Sequence, residues 1–87
     1  MPIYTGQVSV GTAVVKVAGN YGNATNLHIH LADNTDNVYI GTSDVTTSNG
    51  LKLEKRSHVD MKLGQNEAIY AVASAIGPFT ITWMVEY

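Results

Sequence analysis

Two histidines separated by one residue are the side chains of this chain best placed to bind a metal. They lie in the segment Leu27-His28-Ile29-His30-Leu31. In a β-strand, His28 and His30 point to the same face with Cα atoms about 7 Å apart, a spacing at which two imidazoles can share one cation. The three aliphatic residues share the opposite face, so the alternation places both histidines outside the core. We interpret His28 and His30 as surface or interface histidines and His58 as a solvated histidine, with a metal site at His28 and His30 as the alternative.

The spacing around this pair resembles the opening of the cupin metal motif. Gly22 is followed by five residues and then by His-x-His. Cupins are small jelly-roll-like barrels, so the resemblance implies a metal-binding barrel with these histidines as ligands. The chain departs from the motif because it has no glutamate shortly after His30, where Asn34 and Thr35 stand, and because the second half-motif is absent. A cupin-like metal-binding protein therefore stays an alternative.

Ser43, in the segment Gly41-Thr42-Ser43-Asp44-Val45, is the candidate for a serine nucleophile. The segment begins like a nucleophile elbow but lacks the closing glycine and the strand-to-helix context that the elbow requires. Asp residues at turns bond nearby backbone amides, which is the simpler interpretation of Asp44. The sequence predicts no catalytic residue and no cofactor, and we expect a protein that is not an enzyme.

Strict alternation of apolar and polar residues organises the chain and predicts β-strands. The expected strands are short and are separated by turn signals rich in Gly, Asn and Asp. They cover Val8 to Val10, Ala13 to Ala18, Leu27 to Leu31, Val38 to Gly41, Leu51 to Glu54, Val59 to Leu63, Ala68 to Ser74 and Phe79 to Tyr87. No segment favours a helix. We predict an all-β fold: one small antiparallel β-sandwich over residues 1–87, jelly-roll-like, with about eight short strands.

One predicted strand, Ala68 to Ala73, is apolar on both faces. Such a strand is either central in its sheet or has its outer face covered by another subunit, and the small size of the chain favours the second interpretation. Trp83 is expected in the core, because it alternates with Ile81 and Val85.

Composition excludes several classes of function. The chain has 87 residues, no cysteine, a net charge of −2 and only 14% charged residues. The net negative charge argues against a nucleic-acid partner, and the absence of a long apolar stretch argues against a membrane partner. The first ten residues lack the pattern of a signal peptide, so we expect synthesis in a cytoplasm. A sparsely charged polar surface loses little on desolvation, which suits a protein that lies against other proteins.

The segment from Val38 to Leu53 resembles small accessory proteins of tailed-phage virions. The residues that carry the resemblance are Val38-Tyr39-Ile40-Gly41, then Asp44-Val45-Thr46-Thr47-Ser48-Asn49-Gly50, then Leu51 and Leu53. The similarity continues through the predicted strand Val59 to Leu63 and through Ile69-Tyr70-Ala71-Val72-Ala73. Where related proteins often have a Pro-Gly turn, this chain has Glu54-Lys55-Arg56-Ser57. The resemblance covers about half of the chain and is to capsid decoration (cement) proteins, head fibres and related modules.

This resemblance implies a structural virion protein on the exterior of a phage capsid. It implies a homotrimer that binds the major capsid protein and stabilises the contacts between capsid subunits. A tail, neck or fibre-tip module, which could bind host carbohydrate, is the alternative. Residues 1 to 7 are expected to form an extended arm. The residues expected at capsid or subunit interfaces are Pro2, Ile3, Tyr4, Tyr21, Tyr39, Tyr70, Met84 and Tyr87.

Overall fold

The computed structural model describes residues 3–19, 22–33 and 37–86, which form eight β-strands in two antiparallel sheets. In chain order the strands are β1 (Ile3–Val10), β2 (Val15–Gly19), β3 (Thr25–Leu31), β4 (Val38–Gly41), β5 (Leu51–Leu53), β6 (His58–Leu63), β7 (Ala68–Ala73) and β8 (Phe79–Glu86). The first sheet has the order β1-β8-β3-β6 and the second has the order β2-β7-β4-β5. This strand order is that of a jelly roll. The predicted all-β sandwich is confirmed.

The core lies between the two sheets and is built from the alternating apolar residues of the strands. In β3, Leu27, Ile29 and Leu31 are fully buried, while the residues between them are not. Burying each of these side chains contributes about 1.5–3 kcal/mol. Ile40 of β4 belongs to the same apolar cluster from the second sheet, and Ile81 of β8 lies beside Leu31 within the first sheet. The alternation that predicted the strands therefore also selects the face that each strand buries.

Strand β1 begins earlier than the sequence predicts. It pairs with β8 without interruption, from Ile3 opposite Glu86 to Val10 opposite Phe79. Residues 3–7 thus belong to the sandwich, and the predicted extended arm is wrong for them. The physical reason is that β8 offers a strand of equal length, so pairing satisfies backbone groups that an arm would leave to water. Met1 and Pro2 lie outside the described residues.

Strand β7 is central in the second sheet, between β2 and β4. On its outer face, Val72 is only 6% exposed. The β4–β5 loop, residues 42–50, covers this face: buried Val45 lies against the backbone of Gly41 and Gly50, and it lines a hollow together with Val72. At Val72 the cover comes from the same chain, so the expected cover by another subunit is wrong there.

Candidate functional site

All three histidines of the chain lie on the outer face of the first sheet. The strand register produces two rows across this face. One row runs from Thr5 through Met84 and His28 to Asp60, and the next runs from Gln7 through Thr82 and His30 to His58. A groove of about 630 Å³ follows the two rows and is lined by all eight of these residues. We call it the histidine groove.

The outward direction of the histidines follows from the buried aliphatic residues of β3. Because Leu27, Ile29 and Leu31 face the core, the residues between them must face solvent. His30 is exposed, and 37% of the His28 side chain is exposed. The predicted location of both histidines outside the core is confirmed.

His28 is at the centre of a small ionic network. Its Nδ1 atom lies 2.7 Å from Oδ1 of Asp60 on β6, and its Nε2 atom lies 3.3 Å from Oε1 of Glu86 on β8. The hydrogen bond with Asp60, followed by that with Glu86, raises the pKa of His28 above its ordinary value of 6.5. Both carboxylates stabilise the imidazolium form, in which each ring nitrogen donates. This network favours the protonated form of His28 and links three strands of the sheet.

The ring nitrogens of His28 both contact carboxylates, and neither contacts His30. The strand register places His30 opposite His58 on β6. Throughout residues 3–19, 22–33 and 37–86, no group of three His, Asp or Glu side chains could hold a metal ion.

The two acidic partners of His28 could not be recognised as such in the sequence. Asp60 is 32 residues from His28 along the chain, and Glu86 is 58 residues away. The alternation in Val59-Asp60-Met61-Lys62-Leu63 already predicts that Asp60 points outward. Only the pairing of β3 with β6 and β8 brings these carboxylates to the histidine.

Three of the predicted interface residues are exposed on neighbouring strands: Ile3 and Tyr4 begin β1, and Met84 lies on β8 opposite Thr5. Ile3 and Met84 share the outer face of the first sheet, because Ile3 alternates with Thr5. Tyr4 lies opposite buried Val85 and therefore belongs to the other face. Ile3, Tyr4 and Met84 are 56%, 48% and 40% exposed. We call the pair Ile3 and Met84 the apolar corner. It adjoins the histidine groove, which Thr5 and Met84 also line.

The other predicted interface residues lie elsewhere. Tyr39 and Tyr70 are half-buried on the outer face of the second sheet, on the opposite side of the sandwich from the apolar corner. Tyr39 lies under the β4–β5 loop, close to Gly50. Pro2, Tyr21 and Tyr87 fall outside the described residues.

The loop that carries the virion resemblance is held by its own hydrogen bonds. The backbone N–H of Thr46 donates to Oδ1 of Asn49 at 2.8 Å, and the N–H of Gly50 donates to the carbonyl oxygen of Thr46 at 2.9 Å. The Oγ1 atom of Thr46 accepts from the N–H groups of Ser48 and Asn49. Ser43 lies in this loop over the second sheet, whereas every histidine lies on the first sheet. Ser43 therefore has no histidine base beside it.

Trp83 is half-buried and packs against the core from β8, as its alternation predicts. Its indole lies over Gly6, the residue opposite it on β1: a Cβ atom at Gly6 would be 2.6 Å from Cζ2 of Trp83. The glycine thus makes room for the indole at the edge of the sheet.

No helix in the described part of the chain is long and apolar enough to cross a membrane.

Comparison with known proteins identifies the fold and no family. No protein-family model matches the sequence. No curated protein matches it either. Among solved structures, the chain is similar to a protein of Bacillus endospore appendages, described as a novel family of disulfide-linked pili, with a TM-score of 0.65. The alignment covers 99% of this chain and 84% of that chain at 8% sequence identity. At this identity, the likeness concerns the jelly-roll sandwich alone.

Proposed function

We propose that this protein is a non-enzymatic structural module of a virion, a decoration (cement) protein that binds the outer surface of a tailed-phage head. In this role, copies arranged as trimers bind the major capsid protein and stabilise the contacts between its subunits. The resemblance of the segment from Val38 to Leu53 to virion accessory proteins motivates the assignment to a phage.

The observation that carries the proposal is the apolar corner. Ile3 and Met84 are exposed together on the outer face of the first sheet, whereas fourteen apolar residues are buried in one core cluster. Aromatic residues and methionine are enriched at the centres of protein interfaces, where charged residues are depleted. A surface of this kind is typical of a protein that lies against another protein.

Low charge supports the same role. Only 14% of the residues are charged, against roughly 25% in an average soluble domain. Covering such a surface with a partner removes few charges from water, so modest contacts suffice for binding. Many identical copies on one capsid add their weak contacts through multivalency.

The test is binding to purified phage heads that lack the protein. We expect saturable co-sedimentation of the wild-type chain with the heads and an increase in the temperature at which the heads release DNA. Met84→Glu places a charge in the apolar corner and should weaken binding at least about tenfold. Thr47→Glu, an exposed position in the loop on the opposite sheet, is the matched control and should bind as the wild type does. Wild-type protein that fails to bind any head would contradict the proposal.

A tail, neck or fibre module is the second candidate, and the likeness to an appendage protein favours it. That neighbour belongs to disulfide-linked pili, whereas this chain has no cysteine, so its copies would have to associate without disulfides. Copy number separates the two candidates: hundreds of copies per virion indicate the capsid, and a handful indicate the tail or neck. Quantitative mass spectrometry of purified virions gives that number.

A further inference from the structure

The four edge strands of the sandwich differ in how they are protected against pairing with another chain. Natural proteins protect exposed edges with charged side chains, bulges or short strands. Strand β6 carries Asp60 and Lys62. Strand β2 carries Lys16 and an irregularity in its register, and β5 has only three residues, with Lys52 at its centre.

Strand β1 has none of these devices. It is eight residues long, its sequence IYTGQVSV contains no charge and no proline, and its register with β8 is unbroken. It is the first strand of its sheet, with β8 on one side only. Ile3, Tyr4, Thr5, Gln7 and Ser9 are all exposed along it. Such an edge offers a row of backbone donors and acceptors to another strand.

We propose that β1 is an interface at which two copies of this chain pair antiparallel, edge to edge, about a two-fold axis. The occupant is a second copy because β1 matches itself in length and in the absence of charge. The other edges of the chain fit less well: β6 would place charged side chains against an uncharged row, and β2 and β5 are shorter. A two-fold contact between identical strands also closes on itself and does not produce fibres.

The pairing of β1 with β8 restricts the registers that this contact can adopt. Along an antiparallel strand, N–H and C=O groups point alternately toward one neighbour and toward the other. Two identical strands can therefore bond only when their facing residues are both odd or both even in number, which also matches the faces of the sheet. Placing Gly6 opposite the partner's Gly6 meets this condition. It brings Thr5 opposite the partner's Gln7, and Tyr4 opposite the partner's Val8.

This register pairs β1 from Ile3 to Ser9 with the partner strand and places Trp83 beside the contact. Ile3 comes opposite the partner's Ser9. A register with Gln7 opposite the partner's Gln7 would instead leave Ile3 unpaired, because its facing position would lie beyond the end of β1 at Val10. The indole of Trp83 lies over Gly6, next to the two-fold axis. Since the chain has a single tryptophan, its fluorescence reports on this contact.

The inference goes beyond the proposed function, because it concerns contact between copies in the absence of any capsid. On an icosahedral head, two-fold axes lie between neighbouring three-fold positions, so the contact would join copies in adjacent trimers. In solution it predicts a reversible doubling of mass. If the mass does not double, the contact between copies is refuted, and binding to phage heads is still tested by its own measurement.

The test is sedimentation velocity of the purified chain over a wide range of concentration, with Trp83 fluorescence recorded on the same samples. We expect the mass of the smallest species to double reversibly, together with a shift in the emission of Trp83. Hydrogen exchange should show slower exchange of β1 amides in the larger species. A mass and emission that do not change with concentration would overturn the proposal.

A pair of double variants tests the register. Thr5→Lys with Gln7→Lys places lysine opposite lysine at two symmetric positions and should weaken doubling by about a hundredfold or more. Thr5→Lys with Gln7→Glu places lysine opposite glutamate at both positions and should restore doubling to within about tenfold of wild type. Thr47→Lys, on the opposite sheet, is the single-charge control. If both double variants lose the doubling of mass equally while circular dichroism shows native folds, the two-fold register is refuted. Open-ended polymers of the wild-type chain would refute the closed contact.

Discussion

The Nδ1 atom of His28 lies 2.7 Å from Oδ1 of Asp60, directly across the pairing of β3 with β6. Together with Glu86, this carboxylate raises the pKa of His28 in the folded protein above 6.5. The proton bound on His28 therefore stabilises the fold fully below pH 6.5, and the contribution is lost as the pH rises through the raised pKa. We expect the free energy of unfolding to decrease over this interval, measured by urea unfolding at a series of pH values.

The variant His28→Gln isolates this contribution. The difference in unfolding free energy between wild type and His28→Gln should be largest at mildly acidic pH and should shrink as the pH rises. NMR titration of the His28 ring should give a pKa above 6.5, and Asp60→Asn should lower it. A His28 titration that is the same in Asp60→Asn would contradict the assignment.

Gly6 should not tolerate a side chain. A Cβ atom there would lie 2.6 Å from Cζ2 and 2.8 Å from Cε2 of Trp83, so the rigid indole would have to move. We expect Gly6→Ala to lower the stability by about 1–3 kcal/mol and to shift the emission of Trp83. Gly22→Ala is the control, because no atom lies within 4 Å of the added methyl group. Equal effects at both positions, measured by chemical unfolding, would argue against the packing of Trp83 over Gly6.

Thr25 carries a buried hydroxyl group with no hydrogen-bond partner among the described residues. The residue is 2% exposed at the start of β3. Thr25→Val replaces the hydroxyl with a methyl group of similar size, and we expect it to raise the stability by about 1 kcal/mol. The same change at exposed Thr47 should alter stability by less than about 0.5 kcal/mol. Thermal unfolding of the two variants checks this, and a loss of stability in Thr25→Val would reveal a partner for the hydroxyl.

Arg56 has a backbone φ of 55°, in the left-handed region that favours glycine. It lies in the turn between β5 and β6. We expect Arg56→Gly to raise the stability by about 0.5–1 kcal/mol, because the strain removed exceeds the added chain entropy of unfolding. Arg56→Ala removes the same charge but retains the strain, so it should bring no gain. The two midpoints of urea unfolding provide the comparison.

Asn49 holds the β4–β5 loop through a side-chain oxygen that accepts from the N–H of Thr46 at 2.8 Å. Its side-chain amide donates to the carbonyl oxygen of Asp44 at 3.4 Å. Asn49→Ala should lower the stability by about 1 kcal/mol. Because the loop lies on the sheet opposite the apolar corner, binding to phage heads should not change. Weakened binding by a folded Asn49→Ala variant would show that the loop itself contacts a partner.

The sequence predicts the strands because their alternation repeats the geometry of a half-buried strand. In β3 and β8, apolar residues at every second position are the residues that the structure buries, including Leu27 and Ile81. The sequence pattern is weaker at β1, where Ile3 to Gln7 show little alternation of their own. Their strand depends on β8, whose register alone extends the pairing to Ile3.

The candidate site was only partly predictable. The alternation in β3 placed His28 and His30 outward, but it did not show that Asp60 and Glu86 reach His28 from two other strands. Likewise, the apolar character of Ala68 to Ala73 is visible in the sequence, whereas its cover by Val45 depends on how a nine-residue loop folds back.

By itself, the sequence determined an all-β chain, the buried face of each well-patterned strand and the outward direction of the histidines, because these depend on residue spacing within single strands. Only the tertiary structure decided which strands are neighbours and which are edges. That choice brings His28 between Asp60 and Glu86, and leaves the uncharged strand β1 at the edge of its sheet. Contacts between strands far apart in sequence depend on the packing of the whole sandwich, which no local pattern encodes.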